Sequence, residues 1–251
     1  MRPYSGKNAI IFGGSSGIGL STAHLLCSRG ARVTVADLNP PAEGDIDGVS
    51  WISCDVREQP QVEAAVQEAA VRDGLHWLVY SAGIQHYGTV LKTSADEYDL
   101  VQAVNARGAF LAAKASIPQM RNGGAIVVVS SVQALACQEG VAAYAASKGT
   151  LEALTRAMAV DHAKDNVRVN SVMPGTVDTP MVRSSANSFR GNGPLEGVLQ
   201  EWGRFHPIQR VAQPEEVARV IAFLLSDEAS FLTGSSYRVD GGLLAQLPVR
   251  L

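Results

Sequence analysis

The sequence predicts a single α/β domain in which helices cover both faces of a doubly wound, parallel sheet of seven strands. Seven short runs are apolar on both faces, which is typical of parallel strands buried between layers of helices. Helical patterns separate these runs along the chain, and such alternation favours right-handed crossovers between parallel strands. The length of 251 residues suits one large domain, and no repeat or linker divides it.

The predicted strands are short, and the third is the weakest candidate. In chain order they cover residues 8–12, 32–36, 49–53, 77–80, 125–129, 167–172 and 236–239. The predicted helices fill the segments between them. One follows the first strand over 20–28, and Pro60 opens another at Gln61, since proline is tolerated in a first helical turn. Apolar residues at helical spacing predict two longer helices, near 96–120 and over about 141–164.

One stretch, residues 181–210, is irregular and is rich in glycine, asparagine and proline. Irregular segments of that length in a compact domain are usually functional or mobile. We therefore expect a lid over a substrate site, carried by one domain that spans residues 1–251.

The composition excludes several classes of protein. With 46% hydrophobic and 18% charged residues, the chain is too apolar for intrinsic disorder. The 21 basic and 24 acidic residues show no basic cluster, so nucleic acid and membrane surfaces are not expected partners. No apolar run could span a bilayer, and residues 1–7 do not form a secretory signal. Three widely spaced cysteines and scattered histidines predict neither disulfides nor a metal site, so we expect a cytoplasmic protein.

A glycine-rich turn joins the first predicted strand to the first helix. Gly13, Gly17 and Gly19 let the backbone approach a pyrophosphate at the positive end of that helix, although such a turn is often only a tight connection. Asp37 ends the second strand, where a carboxylate can accept hydrogen bonds from an adenosine ribose. Its charge would repel a 2′-phosphate, which favours NAD(H) over NADP(H). The alternative is that Asp37 begins an Asx-type turn before Asn39.

Tyr144 and Lys148 are four residues apart, so a helix places them on one face. A nearby cation lowers the pKa of a tyrosine, as a general acid or base for alcohol–ketone interconversion requires. Ser131 follows a strand and could donate its hydroxyl to the substrate oxygen, while Asn105 is a polar residue among apolar ones in a helix. Each of these residues also has a purely structural interpretation. Tyr144 and Lys148 could be a solvated pair on a helix surface, Ser131 could simply end a strand, and Asn105 could be a helix amide with its own hydrogen-bond partners.

Taken together, these motifs resemble those of the short-chain dehydrogenase/reductase family over essentially the whole chain. Further matching residues are Asp55-Val56, Ala82-Gly83, Ser130, Pro174-Gly175 and Asp240-Gly241-Gly242. The resemblance implies a Rossmann fold and a catalytic tetrad of Asn105, Ser131, Tyr144 and Lys148. By that resemblance, Tyr144 transfers the proton and Lys148 lowers its pKa and binds the nicotinamide ribose. Ser131 would polarise the carbonyl group, and Asn105 would hold a water that links Lys148 to solvent.

The resemblance also implies the cofactor contacts and the assembly. Asp55 and Val56 are expected at the adenine, and Val177 and Thr179 at the carboxamide. The full expected set is Gly13, Ser15, Ser16, Gly17, Ile18, Gly19, Asp37, Asp55, Val56, Ser81, Ala82, Gly83, Tyr144, Lys148, Pro174, Gly175, Val177 and Thr179. Similar proteins are commonly homotetramers that associate through their two long helices, so a tetramer or dimer is expected. The chain departs from the family at Phe12, where threonine is usual, and at Tyr80-Ser81, where asparagine normally comes first.

Substrate residues are predicted only from their positions after motif strands. Gln85, Gln133, Gln138 and Trp202 are the chosen candidates, with His86, Cys137, Arg183, Arg190, Arg204 and His206 as further polar neighbours. This polar set favours a small hydroxylated or anionic substrate, such as a sugar, polyol or hydroxy acid, although the loop arginines could simply be solvated. The alternatives are a reductase of a more hydrophobic ketone, a dinucleotide-binding regulator without chemistry, and an epimerase or dehydratase acting on a nucleotide sugar.

Overall fold

The computed structural model describes residues 3–41, 48–70 and 74–247, so the expected domain ends at 1 and 251 lie outside the described residues. Its sheet confirms the predicted fold: seven strands, all parallel, in the order β3-β2-β1-β4-β5-β6-β7. The strands are β1 (Asn8–Phe12), β2 (Arg32–Asp37), β3 (Val49–Ser53), β4 (Trp77–Tyr80), β5 (Gly124–Val129), β6 (Val167–Pro174) and β7 (Ser236–Val239). The strand order reverses between β1 and β4, where the chain returns from β3 to start the other half of the sheet, and this crossover point is where this class of fold binds ligands.

Helices cover both faces of the sheet. They are α1 (Gly17–Ser28), α2 (Gln59–Ala69), α3 (Ala95–Gln102), α4 (Gly108–Ser116), α5 (Ala142–His162), α6 (Pro180–Phe189), α7 (Leu195–Gly203) and α8 (Pro214–Leu225). In the described part of the chain, none of these helices combines the length and the apolar character needed to cross a bilayer.

Two apolar layers enclose the sheet, one on each face. Ile10 of β1 packs with residues of α2, α4 and α5, whereas its neighbour Ile11 packs with residues of α1 and α8. Both side chains are fully buried, as the alternation of side chains along a strand requires when both faces are covered. The layers leave open the edge of the sheet where the strands end, and the loops at that edge form the candidate site.

The helix predicted near residues 96–120 is interrupted, which the sequence pattern did not show. Between α3 and α4 lies a π turn, Ala103–Arg107, in which the Gly108 N–H donates to the Ala103 carbonyl, five residues back. After α4 the chain narrows into a 3-10 turn at Ile117–Gln119, because Pro118 has no N–H with which to continue the helix.

The prediction that residues 181–210 are irregular was wrong, because α6 and α7 occupy most of that stretch. Thr179 caps α6 by accepting a hydrogen bond from the Val182 N–H at 3.3 Å, and Pro180 follows as its first residue. Pro194 immediately precedes α7 and makes no side-chain capping bond. Gly191, Asn192 and Gly193 lie in the short connection between the two helices, whereas Asn187 and Gly197, which also gave the irregular appearance, lie within α6 and α7. Whether this helical pair acts as a lid stays a prediction.

Candidate active site

A cavity of about 480 Å³ opens at the carboxyl ends of the strands, around the crossover between β1 and β4. Most of the residues predicted for a dinucleotide site line this cavity. Among them are Tyr144 and Lys148, which are also predicted catalytic residues, and the predicted catalytic Ser131 lines it as well. The predicted residues in its wall are Gly13, Ser16, Gly17, Ile18, Asp37, Asp55, Val56, Ser81, Ala82, Gly83, Ser131, Tyr144, Lys148, Pro174, Gly175, Val177 and Thr179. Ser15, Gly19 and Asn105 do not line the cavity but support residues that do.

The glycine turn brings backbone against backbone at one end of this cavity. A side chain on Gly19 would lie 2.0 Å from the Gly13 carbonyl oxygen, and one on Gly13 would lie 2.3 Å from the Ala82 nitrogen. Gly13 also has a φ of +75°, which favours glycine. Ser16 caps α1 without a side-chain hydrogen bond, so the N–H groups of the first turn remain available to an anion at this wall.

Asp37 lies in the cavity wall, and its carboxylate is held by two backbone amides. Oδ2 accepts from the Ser15 N–H at 3.1 Å, while Oδ1 accepts from the Asn39 N–H at 3.4 Å. The Ser15 hydroxyl donates to the Asn39 carbonyl at 2.6 Å, and this second hydrogen bond links the glycine-rich turn to the loop after β2. Asp37 therefore forms the Asx-type turn that was the alternative to a cofactor contact, and the same residue also lines the cavity.

The neighbouring carboxylate, Asp55, is occupied by an arginine that sequence reasoning missed. The Arg57 guanidinium donates to both Asp55 oxygens at 2.5–3.0 Å, and this hydrogen bonding lowers the pKa of the Asp55 carboxyl. Both residues line the cavity, as does Cys54, whose burial raises its pKa to about 11. The only indication in the sequence that Cys54 and Arg57 belong to this site was that they lie close to Asp55 along the chain.

Tyr144 and Lys148 lie one turn apart on α5, both buried in the cavity wall. The Lys148 Nζ is 5.4 Å from the centroid of the Tyr144 ring and donates to the Val129 carbonyl at 2.9 Å. Burial lowers the pKa of Lys148 to about 8. Burial also raises the pKa of Tyr144 to about 12, against an opposing hydrogen bond with Ser131. The expected lowering of the tyrosine pKa is therefore not found, because desolvation of the phenolate outweighs the hydrogen bond with Ser131.

Asn105 projects from the π turn and is fully buried. Its Oδ1 accepts from the Ile84 N–H at 2.8 Å, while its Nδ2 donates to the Ile84 carbonyl at 3.0 Å and to the Ser147 hydroxyl at 2.9 Å. A methyl group on Gly83 would lie 3.5 Å from Asn105 Oδ1 and 3.7 Å from Lys148 Nζ. Asn105 thus holds the loop that follows β4, and its amide and the Lys148 ammonium flank the same glycine.

The substrate candidates chosen from the sequence do not line this cavity. They are Gln85, Gln133, Gln138 and Trp202. Gln138 borders a separate, shallow depression, and the Oε1 atom of Gln133 is buried without a hydrogen-bond partner. Trp202 packs in an aromatic row in which its ring centroid is 6.3 Å from that of Phe189, which is 5.0 Å from that of Tyr87. Sequence spacing could not reveal that row, because its members come from three separate segments.

Two other polar neighbours prove to be structural. Arg183 donates to the Asp178 carboxylate at 2.6 and 2.8 Å and to Glu196 at 3.0 Å, which joins α6 to the preceding loop and to α7. His206 is buried, with Nδ1 2.7 Å from the Asp240 carbonyl oxygen. A side chain on Gly175 would lie 2.5 Å from this imidazole, so His206 packs behind the Pro174-Gly175 segment.

The residues in this cavity fit a nicotinamide adenine dinucleotide. The glycine turn places the uncapped N–H groups of the first turn of α1 at the cavity wall, where they can bind a pyrophosphate, and Asp37 offers acceptors for a ribose at one end. Ser131, Tyr144 and Lys148 gather hydroxyl and ammonium groups at the other end. Such an arrangement can exchange a proton with an oxygen atom beside the cofactor.

Comparison with known proteins gives consistent matches along the chain. A family model described as Enoyl-(Acyl carrier protein) reductase matches residues 13–244. Oxidoreductase UcpA of Escherichia coli O157:H7 is 36% identical over 96% of both chains. The cyclopentanol dehydrogenase of Comamonas sp. (strain NCIMB 9872) is 38% identical over 95% of this chain and 97% of its own. The ligand-free structure of Thermoplasma acidophilum aldohexose dehydrogenase superimposes with a TM-score of 0.93 at 37% identity, covering 98% of this chain and 97% of that one.

Proposed function

The chain belongs to the short-chain dehydrogenase/reductase family of oxidoreductases, which use a nicotinamide dinucleotide, and we propose that it interconverts a secondary alcohol and a ketone with NAD(H). The observation that carries the proposal is the grouping of Ser131, Tyr144 and Lys148 in one wall of the cavity that also contains the glycine turn. A helix face alone could bring the tyrosine and lysine together, but not a strand-end serine and a dinucleotide turn as well.

In the proposed mechanism, the chain's own residues position the substrate oxygen and move its proton. The nicotinamide, when bound, takes or gives the hydride. The Ser131 hydroxyl donates a hydrogen bond to the substrate oxygen, and Tyr144 gives it a proton in reduction or takes one in oxidation. Lys148, with a pKa of about 8, is mainly protonated at neutral pH and stabilises the phenolate that remains after proton donation. Asn105 acts from behind Gly83 by holding the loop after β4.

We propose NAD(H) rather than NADP(H) because of the charge at the adenosine end of the cavity. The Asp37 carboxylate reaches the wall, and its two backbone bonds hold it in place. The only basic group in the described wall at that end, Arg57, is paired with Asp55. A 2′-phosphate would therefore meet a net negative surface, whereas a ribose diol would meet hydrogen-bond acceptors.

The substrate that we propose is small, polar and uncharged, as a sugar or polyol is. At the reactive end, Lys148 is the one cation among the described residues of the cavity wall, and Arg183 is already paired with two carboxylates. A hydroxy acid would thus find no second cation in that wall. The solved aldohexose dehydrogenase supports a sugar. The aromatic row of Tyr87, Phe189 and Trp202, together with the cyclopentanol dehydrogenase, supports a cyclic apolar alcohol as the second candidate.

Three further features belong to the same proposal. The helical pair over residues 181–210 would act as the substrate lid. Exposed apolar residues on the two helices expected at the interface, Phe110 on α4 and Val160 on α5, support a homotetramer or dimer. The cytoplasmic location that the sequence predicts also belongs to this proposal.

The decisive test measures nicotinamide absorbance while a panel of sugars, polyols, hydroxy acids and cyclic alcohols is offered with NAD and with NADP. Tyr144→Phe should bind NADH as the wild type does yet lose turnover by about 10²-fold or more. Tyr98→Phe is the matched control, because Tyr98 is half-exposed on α3 and away from the cavity wall. Turnover like that of the wild type in the Tyr144 variant, or none with any alcohol in the wild type, would overturn the proposal.

A further inference from the structure

Tyr80 occupies the position where the family usually has asparagine, and its hydroxyl has an unusual partner. The side chain is buried at the end of β4, and the hydroxyl donates a short hydrogen bond to the Val104 carbonyl in the π turn. In a regular α-helix that carbonyl would accept from the Gly108 N–H, but in the π turn this N–H donates to Ala103 instead. Tyr80 therefore bonds the carbonyl that the π turn leaves without its helical donor.

The residues around the Tyr80 hydroxyl leave space for it. A side chain on Gly108 would lie 2.1 Å from the Tyr80 oxygen, so only glycine leaves space for the phenol at this point. The Tyr80 ring packs at 6.2 Å from the ring of Phe12, the other residue at which the chain departs from the family. Burial raises the pKa of Tyr80 far above neutrality, so the phenol keeps its proton and remains a donor at neutral pH.

The end of β4 and the loop that follows it thus contact the π turn at two points. Tyr80 bonds the Val104 carbonyl, and Ile84, four residues further along, bonds the side chain of Asn105 through both its N–H and its carbonyl. Val104 and Asn105 are adjacent, so the first contact fixes the backbone from which the second side chain projects. Gly83 lies between the two contacts along the chain, and a β-carbon at this position would lie 3.5 Å from Asn105 Oδ1 and 3.7 Å from Lys148 Nζ.

We infer that Tyr80 is a positioning residue that acts through the π turn, holding Asn105 in the place from which it orients the loop beside Lys148. The inference rests on the proposed function only for its kinetic consequence. Its structural consequence is that loss of the hydroxyl frees the Val104 carbonyl, and the π turn then relaxes together with Asn105. Small displacements of positioning groups are costly in catalysis, since a shift of about 1 Å can lower turnover by about 10²-fold.

The kinetic test compares Tyr80→Phe with Tyr4→Phe. Tyr4 is the matched control because it is also a buried tyrosine whose hydroxyl donates to a backbone carbonyl, that of Ala222 at 3.2 Å, in the apolar layer on the other face of the sheet. Tyr80→Phe should lower kcat by at least about tenfold and leave KM for NADH within about twofold, whereas Tyr4→Phe should leave both unchanged. In an Asn105→Ala background, Tyr80→Phe should lower kcat by less than about twofold.

Hydrogen exchange tests the same inference without any turnover. The Ile84 N–H, which donates to Asn105, should exchange faster in Tyr80→Phe than in the wild type, and at the wild-type rate in Tyr4→Phe. Gly108→Ala keeps the phenol but crowds its hydroxyl, so it should also speed exchange at Ile84 and serves if Tyr80→Phe does not fold. Wild-type exchange at Ile84 in a folded variant, or additive losses of kcat with Asn105→Ala, would overturn the inference. A wild type without dehydrogenase activity would instead overturn the proposed function and leave the exchange result to decide this one.

Discussion

Replacing Lys148 by methionine is expected to stabilise the fold at neutral pH while it abolishes the proposed activity. Lys148 is only 4% exposed, and its burial lowers its pKa from 10.5 to about 8. Because each pH unit of such a difference corresponds to about 1.4 kcal/mol, the charged lysine opposes folding by about 3 kcal/mol. Methionine loses the hydrogen bond to the Val129 carbonyl, which costs about 1–2 kcal/mol. The expected net gain in the free energy of unfolding is therefore about 1–2 kcal/mol.

The dependence on pH separates this explanation from a simple gain in packing. The folded-state pKa of Lys148 lies below its unfolded-state value, so the penalty is complete below about pH 8 and fades as the pH rises toward 10.5. The advantage of Lys148→Met should thus be largest near pH 7, and near pH 10.5 it should reverse, because only the lost hydrogen bond remains.

Urea unfolding followed by circular dichroism at about pH 7 and about pH 10 measures both quantities. Lys114→Met is the control: Lys114 is exposed on α4, so its replacement should give the same small change at both pH values. A Lys148→Met variant that is less stable than the wild type at pH 7, or whose advantage does not change with pH, would refute the reasoning.

Three other variants probe the rest of the site. Asp37→Ala should raise the ratio of kcat/KM for NADPH over NADH by about tenfold or more; an unchanged ratio would reduce Asp37 to a turn residue. Gly19→Ala should weaken NADH binding, measured by fluorescence, because its methyl group would lie 2.0 Å from the Gly13 carbonyl oxygen; undiminished binding would contradict the close approach. Arg183→Leu should raise KM for the alcohol more than KM for NADH, because it unties α6 from Asp178; equal changes in the two constants would argue against a lid.

The sequence was sufficient to predict the sheet because its strands carry a strong local signal. The strand predicted at 8–12 is β1 without change, and those at 32–36 and 167–172 are lengthened by one and two residues as β2 and β6. Runs that are apolar on both faces have few alternatives to a covered parallel sheet, so tertiary contacts had little to override. Most of the cofactor contacts that the family resemblance implied lie in the wall of one cavity, because strand ends in a parallel sheet all meet at one edge; that they bind the cofactor stays a prediction.

Features that depend on contacts between distant segments could not be predicted in the same way. The π turn at Ala103–Arg107 shifts a hydrogen bond without changing the apolar spacing, and its partner Tyr80 comes from another strand. The pKa of Tyr144 depends on how much surrounding protein excludes water, which no four-residue spacing reports. The sequence placed Arg183 among the polar neighbours of the substrate. Its ion pairs with Asp178 and Glu196 could not be predicted, because nothing in the sequence shows that these residues meet in the fold.

The crossover point between β1 and β4 separates the residues of the site into two groups that lie on different parts of the chain. Asp37 and Asp55, which we propose meet the adenosine half of the cofactor, come before β4, whereas Asn105, Tyr144 and the helical pair after β6 come later. Recombination at the loop before β4 would therefore exchange one set and leave the other intact. Under the proposed function, coenzyme choice and the choice of alcohol are thus encoded on separate stretches of polypeptide, so that either can be altered without rebuilding the other.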